Sequence, residues 1–95
     1  MTKIKRLVLD VLKPLEPSSI ELADKLISLK NISAVNIVLI EMDRKVENVK
    51  LVIEGNGIEY GKVERTLTNN GCAIHSVDEV AVGKKLDIQH YVKKD

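Results

Sequence analysis

An α+β sandwich in the order βαββαβ is the fold this sequence predicts, and three observations predict it. Four segments carry the alternating or all-aliphatic pattern of strands, two carry the three-to-four-residue spacing of helices, and the two kinds interleave in that order. The 95 residues are one domain's worth of chain, enough for a single core. That core must be aliphatic, because Phe and Trp are absent and Tyr60 and Tyr91 are the only aromatic residues.

The first strand is expected over Ile4 to Leu12, with Leu7, Leu9 and Val11 on one face and Arg6, Val8, Asp10 and Leu12 on the other. Lys13-Pro14 should end it, since proline brings no ladder donor. Ser18-Ser19-Ile20-Glu21 is a capping box and starts a helix whose Leu22, Ala23, Leu26 and Ile27 form an apolar stripe; Asn31 can take the left-handed conformation that stops it. Ala34 to Met42 reads as the second strand, apolar on both faces. Val49, Leu51 and Ile53 alternate with Lys50, Val52 and Glu54 in the third, and Gly55-Asn56-Gly57 turns the chain. Tyr60, Val63 and Leu67 share a face of the second helix, which Asn70-Gly71 closes. Cys72 to Val82 is the fourth strand.

Two interleaved right-handed βαβ units give a ferredoxin-like fold: a four-stranded antiparallel sheet, order 4-1-3-2, with both helices on one face. The domain is expected to span residues 1–86, leaving a polar tail, 87–95, in which Leu86, Ile88 and His90 suggest a short edge strand. The open sheet face carries Val8, Leu12 and Val52 among charges. With a second strand apolar on both sides, it predicts burial against further copies of the chain through that face and the edge strand, the tail being the other cover on offer.

Lys plus Arg number 15 against 14 for Asp plus Glu, so no global field draws the chain to nucleic acid or an anionic membrane. No apolar run approaches the roughly 20 residues of a membrane span. The basic start, Met1 to Arg6, runs directly into a strand pattern unlike a signal peptide, and a lone cysteine makes no internal disulfide; the expectation is a cytoplasmic protein.

Candidate site residues fall in three sets. Asp10 places a carboxylate in mid-strand, where it either pairs with a neighbour such as Lys50 or joins Asp78 and Glu79 in an oxygen-rich pocket suited to calcium or magnesium. Lys5, Arg6, Lys84 and Lys85, with Lys3, should gather at one end of the sheet, either as a solvated rim or as a small-anion site to which His75 could contribute. Cys72 and His75 have the spacing of half a zinc site but should point to opposite faces of a strand, as a buried thiol and a hydrogen-bonded histidine. His90 reads as solvated.

Familiar chemistries of this architecture lack their residues here. The central strands expose Arg6, Val8, Asp10, Lys50, Val52 and Glu54, none aromatic, so there is no base-stacking platform. The first loop reads Pro14-Leu15-Glu16-Pro17, without the Cys-x-x-Cys of a metallochaperone, the arginine and glycines of an acylphosphatase, or the glycine of an amino-acid sensor.

Taken together, Lys5-Arg6-Leu7-Val8-Leu9-Asp10-Val11-Leu12-Lys13-Pro14, Glu16-Pro17-Ser18, Val35-Asn36-Ile37, Asp43-Arg44 with Glu47-Asn48-Val49-Lys50, and Ile74-His75-Ser76-Val77-Asp78-Glu79-Val80 with Gly83-Lys84-Lys85 resemble the archaeal domain-of-unknown-function family 211. The resemblance runs to about Leu86 and implies a ferredoxin-like fold and an oligomer, but no activity. Where many members carry histidine, this chain has Leu15. The function expected is a homo-oligomeric, regulatory module binding a small molecule or ion. A structural or protein-interaction module, and an enzyme whose site is shared between subunits, are the alternatives.

Overall fold

The computed structural model describes residues 3–84. The elements are β1 (Lys3–Pro14), α1 (Ser19–Ile27), β2 (Ile32–Met42), β3 (Val46–Gly55), α2 (Tyr60–Asn69) and β4 (Ala73–Gly83). They form one antiparallel sheet in the order β2-β3-β1-β4, the ferredoxin-like arrangement the pattern predicts. Leu7, Leu9 and Val11 of β1, Val49, Leu51 and Ile53 of β3, Leu22 and Leu26 of α1, and Val63 and Leu67 of α2 meet in a single buried cluster, so both helices cover the same sheet face. Each such aliphatic side chain, fully buried, contributes about 1.5–3 kcal/mol relative to exposure.

The local signals behave as chemistry requires. Ser18 Oγ accepts from the Glu21 amide at 3.2 Å while Glu21 Oε1 accepts from the Ser18 amide at 3.0 Å, completing the capping box. Asn31 adopts φ 72° after α1, and Gly71 φ 79° after α2. Gly55 is required for a different reason: a Cβ there would collide with the carbonyl oxygen of Asn31, the oxygen that also accepts from the Asn56 amide at 2.9 Å.

Three boundaries differ from expectation. β1 runs through Lys13 to Pro14 rather than stopping at Leu12. Its pairing with β4 reaches only to Leu12 opposite Ala73, whereas pairing with β3 continues to Pro14 opposite Val46. Pro14 therefore sits where one side of the strand is already free, and a missing donor is tolerated. β2 begins at Ile32, two residues early, and β4 at Ala73, with Cys72 buried just ahead of it. The tail, including Lys85, Leu86, Ile88 and His90, lies outside the described residues. Among the described residues no helix is long and apolar enough to cross a membrane.

Candidate functional site

The open face of β1 shows how the central charges are arranged. Arg6 stands opposite Glu54 on β3 and near Glu79 on β4, with Nη1 2.5 Å from Glu54 Oε2 and Nε 3.4 Å from Glu79 Oε1. Two carboxylates thus already hold the guanidinium. Asp10 stands between Lys50 on β3 and Ser76 on β4. It is half-buried, and among the described residues no ion pair engages it.

Asp78 is not opposite Asp10, because the β1–β4 ladder shifts register three times. Ile4 faces Val82 and Arg6 faces Ala81, which leaves Lys5 as the extra residue on β1. Val8 faces Glu79 while Leu9 faces Val77, leaving Asp78 unpaired, and Asp10 faces Ser76 while Val11 faces Ile74, leaving His75 unpaired. Bulges of this kind re-aim side chains locally. Asp78 Oδ1 accepts from Ser76 Oγ at 2.7 Å, Glu79 is drawn to Arg6, and His75 is exposed. Among the described residues no three His, Cys, Asp or Glu side chains come close enough to hold a metal ion together, so a single chain does not bring Asp10, Asp78 and Glu79 into one cluster.

The basic rim is only partly assembled. Lys3 pairs with Gly83, which brings Lys3 and Lys84 to the same end of the sheet. Lys5 is buried, and its Nζ donates to Asn56 Oδ1 at 2.7 Å, so it is turned toward the β3–α2 turn. Lys85 lies outside the described residues. Cys72 is buried and His75 exposed, so the pair does not share a site. Burial pushes the Cys72 thiol up from its ordinary value, against the opposing pull of the nearby Lys13 ammonium.

Two features went unseen in the sequence. Lys13 is fully buried at the end of the core, donating to the carbonyl oxygens of Pro14 and Pro17 at 2.7 Å each and lying 3.1 Å from Glu47 Oε1. Its alternation with Leu7, Leu9 and Val11 was a signal for burial, but charge argued the other way. The second is Asn48, whose Oδ1 is buried without a hydrogen-bond partner among the described residues, in a cleft it shares with Glu41 and Asp43.

The sheet edges are strongly apolar. On β2, Val38, Leu39, Ile40 and Met42 are exposed, and on β4, Val77, Val80 and Val82. Beside β2 a groove of about 460 Å³ runs along α1, lined by Ile20, Glu21, Ala23, Asp24, Ile27 and Val35.

The family model for DUF211, described as an uncharacterised ArCR, matches residues 5–95. The chain belongs to the DUF211 family. It is also 48% identical over 86 residues to the uncharacterised protein MJ0319 of Methanocaldococcus jannaschii, an alignment covering 90% of this chain and 89% of that one. The DUF211 match spans both bulge residues of β4 and the apolar edges, so these lie within the family's own domain rather than in an appended segment.

Proposed function

We propose that this DUF211 protein works as a homo-oligomeric module that binds a small molecule or ion in a regulatory, non-catalytic role. The observation that carries the reading is the set of exposed aliphatic residues on both sheet edges, seven side chains from Val38 to Val82 that stand open to water among the described residues. Natural sheets protect edges with charge, proline or cover, and β2 offers only Glu41 against that hazard. Copies meeting there would remove the apolar surface from water.

The ligand part rests on polar groups left unengaged among the described residues. Among the described residues, Arg6, Lys5 and Lys13 are all occupied by partners, while Asp10 and the Asn48 oxygen are not. Both are hard oxygen donors, suited to a divalent cation such as calcium or magnesium once a neighbouring copy completes the shell. Lys3 and Lys84 would instead favour a small anion.

Sedimentation velocity at about 10–100 μM, together with thermal melting with calcium, magnesium or phosphate added, tests the reading. An assembly whose melting temperature rises by several degrees with one of these ions supports it, as expected for a ligand at many times its Kd. A monomer at every concentration, with unmoved melting, would sink it. An assembly indifferent to every ion would favour the structural module instead.

A further inference from the structure

A bulge shapes the cleft at the base of the β2–β3 hairpin. Val35, Ile37 and Leu39 stand opposite the buried Ile53, Leu51 and Val49, and strict alternation would put Glu41 on that same helix-side face. The ladder instead shifts between Leu39 and Glu41, which leaves Ile40 as the extra residue and sets Glu41 opposite Asn48. Asn48 also stands opposite Leu12 of β1, on the open face of the sheet. Re-aiming a side chain is what a bulge does. Two residues beyond Glu41, Asp43 closes the hairpin, its amide donating to the Val46 carbonyl at 3.0 Å. Glu41, Asp43 and Asn48 thus come to one cleft of about 260 Å³, with Leu12, Met42 and Val46 as its apolar lining.

The polar atoms gathered there are acceptors. Asp43 Oδ1 accepts from the Lys45 and Val46 amides at 2.9 and 3.0 Å, which leaves the second carboxylate oxygen without a hydrogen bond among the described residues. Those two amides also hold the carboxyl below its ordinary range, so it stays ionised. Among the described residues no ion pair engages Glu41 or Asp43, and Lys45 meets Asp43 through its amide alone. Asn48 Oδ1 is the decisive atom: less than 1 Å² of it is exposed, and among the described residues it has no hydrogen-bond partner. A buried acceptor without a donor is rare in a folded chain and calls for a group that satisfies it. A carboxamide turns readily about its last bond, so this oxygen can meet a cation entering the cleft. Two carboxylates beside it favour a positive charge over an anion.

We infer that the β2–β3 hairpin holds a calcium ion, bound by the Glu41 and Asp43 carboxylates and the Asn48 carboxamide oxygen, with water completing the shell. The inference rests on the ion-binding part of the reading above and gives that ion a place within one chain, apart from Asp10. Calcium takes about six to eight oxygens in flexible geometry, whereas magnesium demands a tight octahedron and gives up its water reluctantly. A cleft this open, with donors from two strands and a turn, suits calcium. Glu41 and Asp43 are exposed, so the affinity falls at the weak end of calcium sites, a Kd of about 10⁻⁴–10⁻³ M.

Calorimetric titration of the full chain with calcium chloride, at constant ionic strength, tests it. The parent should show one saturable site per chain. Asn48→Leu and Asp43→Asn should each weaken binding about tenfold or more, while Asp10→Asn leaves it unchanged. Without calcium, Asn48→Leu should melt no lower than the parent, because it deletes an acceptor that lacks a donor. Asp43→Asn keeps the oxygen that the turn amides use, and so gives the same readout should the leucine disturb packing. Binding that survives in both variants, or that is lost in Asp10→Asn instead, overturns the hairpin site while the ion-binding reading stands. A parent that binds no calcium overturns the site as well; the wider reading then survives if magnesium or phosphate binds, and falls if neither does.

Discussion

Replacing Lys13 by methionine isolates the most buried charge among the described residues. Methionine keeps most of the length and apolar stem of lysine, so little cavity forms, and the loss falls on polar contacts. The Lys13 ammonium holds the Pro14 and Pro17 carbonyls at 2.7 Å each and the Glu47 carboxylate at 3.1 Å. Each buried acceptor left without its donor costs about 1–3 kcal/mol, and removing one partner of a buried ion pair costs about 3–5 kcal/mol in all. Since Glu47 keeps some contact with water, Lys13→Met should lose about 3–4 kcal/mol, a large part of the roughly 5–15 kcal/mol that a domain holds in reserve. Urea unfolding followed by far-ultraviolet circular dichroism reads the loss as a lower midpoint at constant slope. Adding Glu47→Met should recover about 1 kcal/mol or more, because the stranded carboxylate goes with its partner. A loss below about 1 kcal/mol in the single variant would refute the assignment of Lys13 as the pin of the β1–α1 loop.

Other positions give sharp expectations. Ser18→Ala should cost about 1 kcal/mol by opening the capping box of α1, measured by the same unfolding midpoint, and an unchanged midpoint would mean that the cap contributes nothing. Gly55→Ala should cost more than Gly61→Ala, which has open space at its Cβ and should be neutral or stabilising by up to about 1 kcal/mol; equal effects would contradict the close approach of Asn31. Raised thiol and phenol ionisation make stability fall at alkaline pH. Burial raises the Cys72 thiol, and burial followed by the Glu64 charge raises the Tyr60 phenol. Both groups therefore ionise more readily in the unfolded chain, so their contribution is whole below the unfolded values and is lost as pH climbs through the folded ones. Urea midpoints taken from about pH 8 to pH 11 should decline, and a flat profile would refute this.

The sequence made most of the architecture legible because the deciding signals are local. The Ser18–Glu21 box, the alternation of Val49, Leu51 and Ile53, and the Asn70-Gly71 stop each act within a few residues, and the strand order then follows from handedness. Legibility failed where two strands must fit each other. Whether Asp10 faces Ser76 or Asp78 depends on bulges that no single strand encodes, and those same bulges remove His75 and Asp78 from the alternation that placed them. Lys13 was hidden for a related reason. Its burial depends on carbonyls from a loop and a carboxylate from β3, all supplied only once the chain has closed around it. The apolar edges were legible as excess hydrophobicity on the second strand, although the matching valines of β4 emerge only from the register.

The strand order also sets a timetable. β1 precedes the other strands in the chain yet lies between β3 and β4, so its two sides are closed by segments that follow it far later in the sequence. Lys3 finds its partner only at Gly83, across almost the entire described chain. Until then Leu7, Leu9 and Val11 can be covered on one side at most, and a nascent chain lacking β4 exposes the central strand as a bare edge. Contacts of such long sequence separation slow folding, and they make it an event of the finished chain rather than of its parts. A chain cut after α2 should therefore collect in aggregates rather than fold as a smaller domain.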